Sequence, residues 1–168
     1  TPPHPSGYTL NPIITGGGQE YSLRSGTENV AGIVGFAEAV RIAEAERSRS
    51  SVRIAALRDR LWQGIKKVHP RAARNTPREA LPNNLHVWMN GVRAHELLIA
   101  LDLAGVAASA GSACAARTSE PSHVLRAVGF PDKRQRESIR FSLGRPTTAA
   151  EVDGAIRAIK MSIKRLYG

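Results

Sequence analysis

Hydrophobic positions along the chain switch between a helical and an extended period. Val30, Ile33, Val34, Ala37 and Val40 recur at the i, i+3, i+4, i+7 spacing of an amphipathic helix. Ile54, Leu57, Leu61, Ile65 and Val68 predict a second helix, separated from the first by a break at residues 48–51 and stopped near Pro70. Residues 71–83 are basic and contain proline, which predicts a surface loop. Strict alternation follows: Leu85, Val87 and Met89 face one side of a strand, and His86, Trp88 and Asn90 the other. Leu97, Leu98, Leu101 and Ala104 mark a short helix ending at Gly105. Residues 106–109 predict a brief strand and residues 110–118 a loop of small side chains. Pro121 opens a helix capped by Ser119 or Glu120 and running to Gly129. Residues 138–144 alternate again. Val152, Ala155, Ile156, Ile159, Ile163 and Leu166 form a last amphipathic helix, with Thr147 or Thr148 as N-cap.

The predicted order is α-α-β-α-β-α-β-α. It implies an α+β (α/β-like) fold, in which a small three-stranded sheet is covered by helices. At 168 residues the chain is long enough for a sizeable core. Aromatic residues make up only 5% of it, so Ala, Val, Ile and Leu must do most of the packing. No apolar run approaches the roughly 20 residues that span a bilayer, and residues 1–12, with four prolines, carry no secretory signal pattern. The chain opens on Thr1 rather than Met, as a piece of something longer would. A single cysteine excludes an intrachain disulfide framework and a Cys-based zinc site, and favours a reducing cytoplasm.

The formal net charge of +10 is uneven: residues 41–78 hold nine Arg and two Lys against Glu44, Glu46 and Asp59. Such a patch invites a nucleic-acid reading. No aromatic interleaving, zinc finger or RNA-recognition signature accompanies it, so a solvated helix face attracting acidic protein partners is preferred to specific nucleic-acid binding.

Three segments carry candidate chemistry. Cys114 lies among small residues, Gly111-Ser112-Ala113-Cys114-Ala115-Ala116-Arg117, which suits an accessible thiol better than a core position; Arg117 favours the nucleophilic thiolate. Alternation places Arg140 opposite the core-facing Ile139, Phe141 and Leu143, beside Ser138 and Ser142. There a guanidinium either grips a carboxylate bidentately or is an ordinary exposed arginine. Gly16-Gly17-Gly18 and Arg24-Ser25-Gly26-Thr27 precede the first helix and offer either an anion seat or a simple N-cap at Thr27.

Five motifs now stand in order: Gly-Gly-Gly-Gln-Glu at 16–20, Arg-Ser-Gly-Thr at 24–27, Gly-Ser-Ala-Cys at 111–114, Glu-Pro-Ser-His-Val-Leu-Arg-Ala-Val-Gly at 120–129 and Ser-Ile-Arg-Phe-Ser-Leu-Gly-Arg at 138–145. Together they resemble the C-terminal part of cysteine desulfurases of the iron–sulfur-assembly and nitrogen-fixation type, within the class V aminotransferase-like enzymes. The resemblance runs from about Gly16 to the end. It implies the small C-terminal domain of a fold-type I transferase that depends on pyridoxal 5′-phosphate (PLP), with residues 1–15 as lead-in, 16–50 as anion-binding loop and connecting helix, and 51–168 as the small domain. It also implies conversion of L-cysteine to L-alanine, with sulfur passing to Cys114 as a persulfide for delivery to sulfur-acceptor or scaffold proteins. Arg140 would hold the substrate α-carboxylate. Thr27 would contact the PLP phosphate across a homodimer. No resident metal is implied, although Cys114 would be the candidate for a transient iron–sulfur ligand. The family's PLP lysine, pyridine-pairing aspartate and ring-stacking histidine belong to a large domain whose motifs are absent here, so this chain alone is expected to be inactive. Selenocysteine lyase, another class V PLP enzyme, and a non-catalytic protein-binding module remain alternatives.

Overall fold

The computed structural model describes residues 10–77, 79–110 and 122–168. They form α1 (Val30–Val68), β1 (Ala73–Arg74), β2 (Asn84–Trp88), α2 (Ala94–Leu103), α3 (His123–Ala127), α4 (Asp132–Arg136), β3 (Ser138–Ser142) and α5 (Ala149–Tyr167). The chain divides into two compact units between Glu46 and Arg47.

In the first unit Ser25 is buried, and it organises the glycine-rich segment: its N–H donates to the Ile14 carbonyl at 3.1 Å and its Oγ to the Gly17 carbonyl at 2.7 Å. Glu20, Tyr21 and Ser22 all adopt positive φ, between 49° and 63°, and make a left-handed turn that non-glycine residues enter only at a cost. The apolar stripe of the first predicted helix is formed, but Val30, Ile33, Val34, Phe36 and Val40 are exposed.

The second unit is a sheet with helices on its apolar face. The sheet order is β1-β2-β3, antiparallel throughout, with Leu85 opposite Phe141 and Val87 opposite Ile139. These side chains and Met89 pack with Leu61 and Ile65 of α1, Leu97 and Leu101 of α2, and Val152 and Ile159 of α5. α1 and α5 approach so closely that a Cβ at Gly64 would collide with the Ile156 side chain. Two helices end in Schellman motifs. After α2, Gly105 takes φ +75° while Gly105 N–H reaches the Asp102 carbonyl and Val106 N–H that of Leu101. After α3, Gly129 takes φ +85°, with Gly129 N–H to Arg126 and Phe130 N–H to Leu125. Thr148 caps α5 in a full capping box with Glu151.

The sheet has three strands, two of them as predicted, β2 and β3, and the third in a different place. Residues 48–51 do not break α1: Arg and Ser at these positions cost only tenths of a kcal/mol each in a helix, and no Gly or Pro intervenes. β1 lies in the stretch read as a surface loop, held to β2 at Trp88 and Val87. Residues 106–109 supply only one bridge, Ser109 to Arg140. α3 starts later than predicted and is capped by Ser122, whose Oγ accepts from Leu125 N–H. The basic stretch is largely exposed, as at Arg53 and Arg60, but several of its arginines also make internal ties. Arg58 is buried and donates to the Leu81 carbonyl, Arg60 forms a two-bond pair with Asp153, and Arg53 donates to the carbonyls of Thr147 and Arg145.

Ile139 of β3 is fully buried in the core beneath the sheet, so Ile139→Ala should cost about 2–5 kcal/mol by leaving a cavity. Thr148→Ala should cost only about 1 kcal/mol through the lost cap. Urea unfolding of both variants checks this, and comparable losses would contradict the central place given to Ile139.

Candidate functional site

The register that buries Leu85, Val87, Ile139 and Phe141 turns Asn84, His86 and Trp88 of β2, with Ser138, Arg140 and Ser142 of β3, to the other face of the sheet. This face is graded. At the Trp88 end it is covered: the Arg134 guanidinium lies over the Trp88 ring at 5.0 Å and over the Phe130 ring at 4.3 Å. Arg134 Nε donates to Asn75 Oδ1 at 2.8 Å, and Trp88 Nε1 donates to Glu137 Oε2 at 2.8 Å. At the other end Ser142 is exposed, and half-buried Arg140 lies between.

Arg140 is fixed at its backbone by Ser109, each donating to the other's carbonyl, at 2.7 and 3.0 Å. Among the described residues its side chain has no carboxylate partner. Ser138, expected to flank it as a hydroxyl, is instead fully buried. Its Oγ donates to the Arg134 carbonyl at 2.6 Å and accepts from Asn75 Nδ2 at 2.8 Å. Ser138 therefore anchors α4 and is not open to a ligand.

His86 was not among the sequence candidates, yet it stands directly opposite Arg140. Its ring is mostly buried, and its pKa falls from 6.5 to about 4, first because burial disfavours the charged form and then because Arg140 and Arg134 repel a third positive charge. The alternation had placed His86 on the non-core side of its strand. Only the strand pairing brings it to Arg140.

Thr27 is exposed, and its carbonyl accepts from Arg24 Nη1 at 2.9 Å. It is not the N-cap of α1: Asn29 takes that place, its Oδ1 accepting from Gly32 N–H at 3.0 Å. The Thr27 hydroxyl is thus left for another use. Cys114, with Arg117, lies outside the described residues.

PLP needs a lysine amine beside the substrate as well as a phosphate seat. Lys66 Nζ donates to the carbonyls of Pro70 and Ala72 at 2.7 and 2.9 Å. Lys67 ends α1, Lys133 lies on α4, and Lys160 and Lys164 lie on α5, so none of the lysines is on the strands that carry His86 and Arg140. The described residues do not by themselves make a PLP site. Among them no His, Cys, Asp and Glu cluster could hold a metal ion, and no helix is long and apolar enough to cross a membrane.

Residues 9–154 match the family described as Aminotransferase class-V. A relative named cysteine desulfurase IscS from Histophilus somni (strain 129Pt) is 44% identical over 157 residues, covering 94% of this chain and 38% of the relative. Cysteine desulfurase IscS 1 of Archaeoglobus fulgidus is 39% identical over 160 residues, covering 95% and 42%. Among solved structures, a NifS-like protein superposes with a TM-score of 0.81 at 36% identity, over 96% of this chain and 41% of that one. The NifS-like protein from Rickettsia africae ESF-5 gives 0.79 at 32%, over 95% and 41%. The chain thus spans about two fifths of the length of these proteins.

A histidine whose folded-state pKa lies below its unfolded value binds fewer protons in the native state between the two values, so stability rises with pH across that window. For His86 the window is about pH 4 to 6.5, and the loss on acidification should reach about 1–3 kcal/mol. Urea midpoints of the parent and His86→Asn, compared at pH 4.5 and 7, test this. An identical pH slope in the two would refute it.

Proposed function

The chain belongs to the aminotransferase class-V family, and on that footing we propose that it is part of a PLP-dependent cysteine desulfurase. The carrying observation is Arg140, a guanidinium without a carboxylate partner among the described residues, fixed on the open face of a rigid sheet. Its planar fork suits the α-carboxylate of an amino acid. Ser109 supports Cys114 as the sulfur acceptor. It is hydrogen-bonded at its backbone to Arg140, and Cys114 follows it by five residues, a reach of at most about 18 Å of chain.

In the reaction, the C–S bond of L-cysteine breaks and an S–S bond forms at Cys114 Sγ. L-alanine leaves, and Cys114 carries the persulfide. The chain's own residues orient the substrate through Arg140 and receive its sulfur at Cys114. Thr27 is proposed for the PLP phosphate of the opposite subunit in a homodimer, a role compatible with its exposed hydroxyl. The PLP electron sink must be anchored by residues other than those described here. A reducing cytoplasm suits a thiol that must stay reactive, and sulfur-acceptor or scaffold proteins would discharge it. Nothing in the sheet face favours a nucleic acid.

In the full-length protein, Arg140→Lys should raise KM for L-cysteine about 10–100-fold, because a point charge replaces a two-bond fork. Cys114→Ser should abolish sulfur transfer while leaving L-cysteine binding intact. Assays of alanine and sulfide, paired with binding of L-cysteine, test both; sulfur transfer surviving in Cys114→Ser would sink the assignment. The 168-residue chain alone, mixed with PLP, should show no stable protein-bound absorbance band and no cysteine turnover.

A further inference from the structure

We propose that His86 is a positioning residue for the Arg140 carboxylate seat, and that filling the seat makes its ring easier to protonate. The proposal rests on the reading of Arg140 as that seat.

The geometry comes from the backbone. An antiparallel pair alternates between residues that exchange hydrogen bonds and residues that do not, and side chains stand closer in the second kind, with Cα atoms about 4.5 Å apart. Met89 N–H donates to the Glu137 carbonyl and Leu143 N–H to that of Asn83, so the odd-numbered residues of β2 make the bonds to β3. Arg140 turns its N–H and C=O away from β2, toward Ser109. His86 turns its own the opposite way: its carbonyl accepts from Asn75 and Thr76 N–H, and its N–H donates to Thr76 Oγ1 at 2.6 Å. His86 and Arg140 are therefore a pair of the closer kind, on one face, with both backbones locked on their outer sides.

Among the described residues, the charges that act on the ring are the two arginines Arg140 and Arg134. β3 contributes Arg140 and α4 contributes Arg134, while the segment after β1 offers only the neutral Asn75 and Thr76. On the ring's own strand, Asn84 and Trp88 are uncharged, and the Glu137 carboxylate accepts the Trp88 indole N–H. His86 Nε2 is buried and has no hydrogen-bond partner among the described residues. Above its midpoint the imidazole is neutral and stands in register with the Arg140 cation. On this proposal the ring, as the closer cross-strand neighbour, restricts where the guanidinium lies.

A carboxylate on Arg140 removes one of the two repulsions and leaves that of Arg134. Its negative charge offsets the guanidinium and favours the imidazolium, whose proton comes from solvent. Binding reciprocity then requires that protonation of His86 tighten the carboxylate by the same factor. A histidine serving only as packing would titrate identically with the seat full or empty.

Ring signals of the five histidines, followed by NMR from pH 3.5 to 8, separate these cases in the chain itself, the signal missing from His86→Asn giving the assignment. With L-alanine as the probe, the His86 midpoint should rise by about one unit, and L-alanine should bind about tenfold more tightly on the acid side of the transition than on the alkaline side. Alaninamide, which lacks the carboxylate, should move nothing. Arg140→Gln should raise the His86 midpoint without ligand and remove its response to L-alanine. If L-alanine perturbs the Arg140 Nε–H signal while the His86 midpoint stays fixed, the coupling is wrong and the carboxylate seat stands. If L-alanine perturbs neither up to its solubility limit, the seat itself falls, and this proposal with it.

Discussion

The register of β2 against β3 is the constraint on which the rest depends. Strand side chains alternate with a period of two, so a slip of one residue would carry Arg140 and His86 into the apolar layer and Ile139 and Val87 out of it. Desolvating a guanidinium against Leu61, Ile65, Leu97 and Ile159 would cost far more than any local rearrangement could recover. The apolar core and the polar face are therefore specified by one and the same pairing. The hydrophobic effect, acting on Leu85, Val87, Ile139 and Phe141, fixes where the chemistry sits on the opposite side.

The polar face is held rigid from its covered end. Ser138, Asn75 and Arg134 form a closed set of hydrogen bonds, and the Arg134 guanidinium rests on two aromatic rings. A recognition group placed on strands with locked neighbours loses little freedom when it binds, which is the condition for a fork to act with good geometry. The arginines of the basic stretch do comparable structural work elsewhere: Arg53 and Arg60 tie α1 to the segment leading into α5 and to α5 itself. Their charge reflects internal ties as much as a surface offered to a partner.

What the sequence made legible follows from which signals are local. Arg140 could be placed on a non-core strand face because the alternation of Ile139, Phe141 and Leu143 is unambiguous. The capping box at Thr148 and the glycine stops at 105 and 129 are also local, and each lies where its residue types put it. β1 has two residues and no alternation to detect, so it forms only because β2 offers an edge. The break expected at residues 48–51 rested on composition, while the helix is sustained across it by packing on its C-terminal half. Ser138 read as a ligand-facing hydroxyl because nothing local reveals that Arg134 and Asn75 will cover it. His86 is a pairing effect: its alternation was visible, but its partner lies more than fifty residues away. The reading of Cys114 rests on motif and loop composition alone, since the described residues do not include it.

Two arginines approach this face, and they are not equivalent. Arg134 has Nε on Asn75 and Nη2 directed at the Arg74 carbonyl, and both neighbouring rings lie against its plane. Its charge reaches the site, but its donors point away from it. Among the described residues Arg140 has no carboxylate partner, and it is the fork they present on this face. One fork beside a neutral ring suits a single planar carboxylate. A phosphate or a dicarboxylate would call for a second set of convergent donors, which Arg134 is not placed to give. The field of Arg134 still matters, because it adds to burial and to Arg140 in holding the His86 pKa down. On the proposed role of Arg140, preference for a monocarboxylate would follow from an arginine committed to internal partners set beside one that has no carboxylate partner among the described residues.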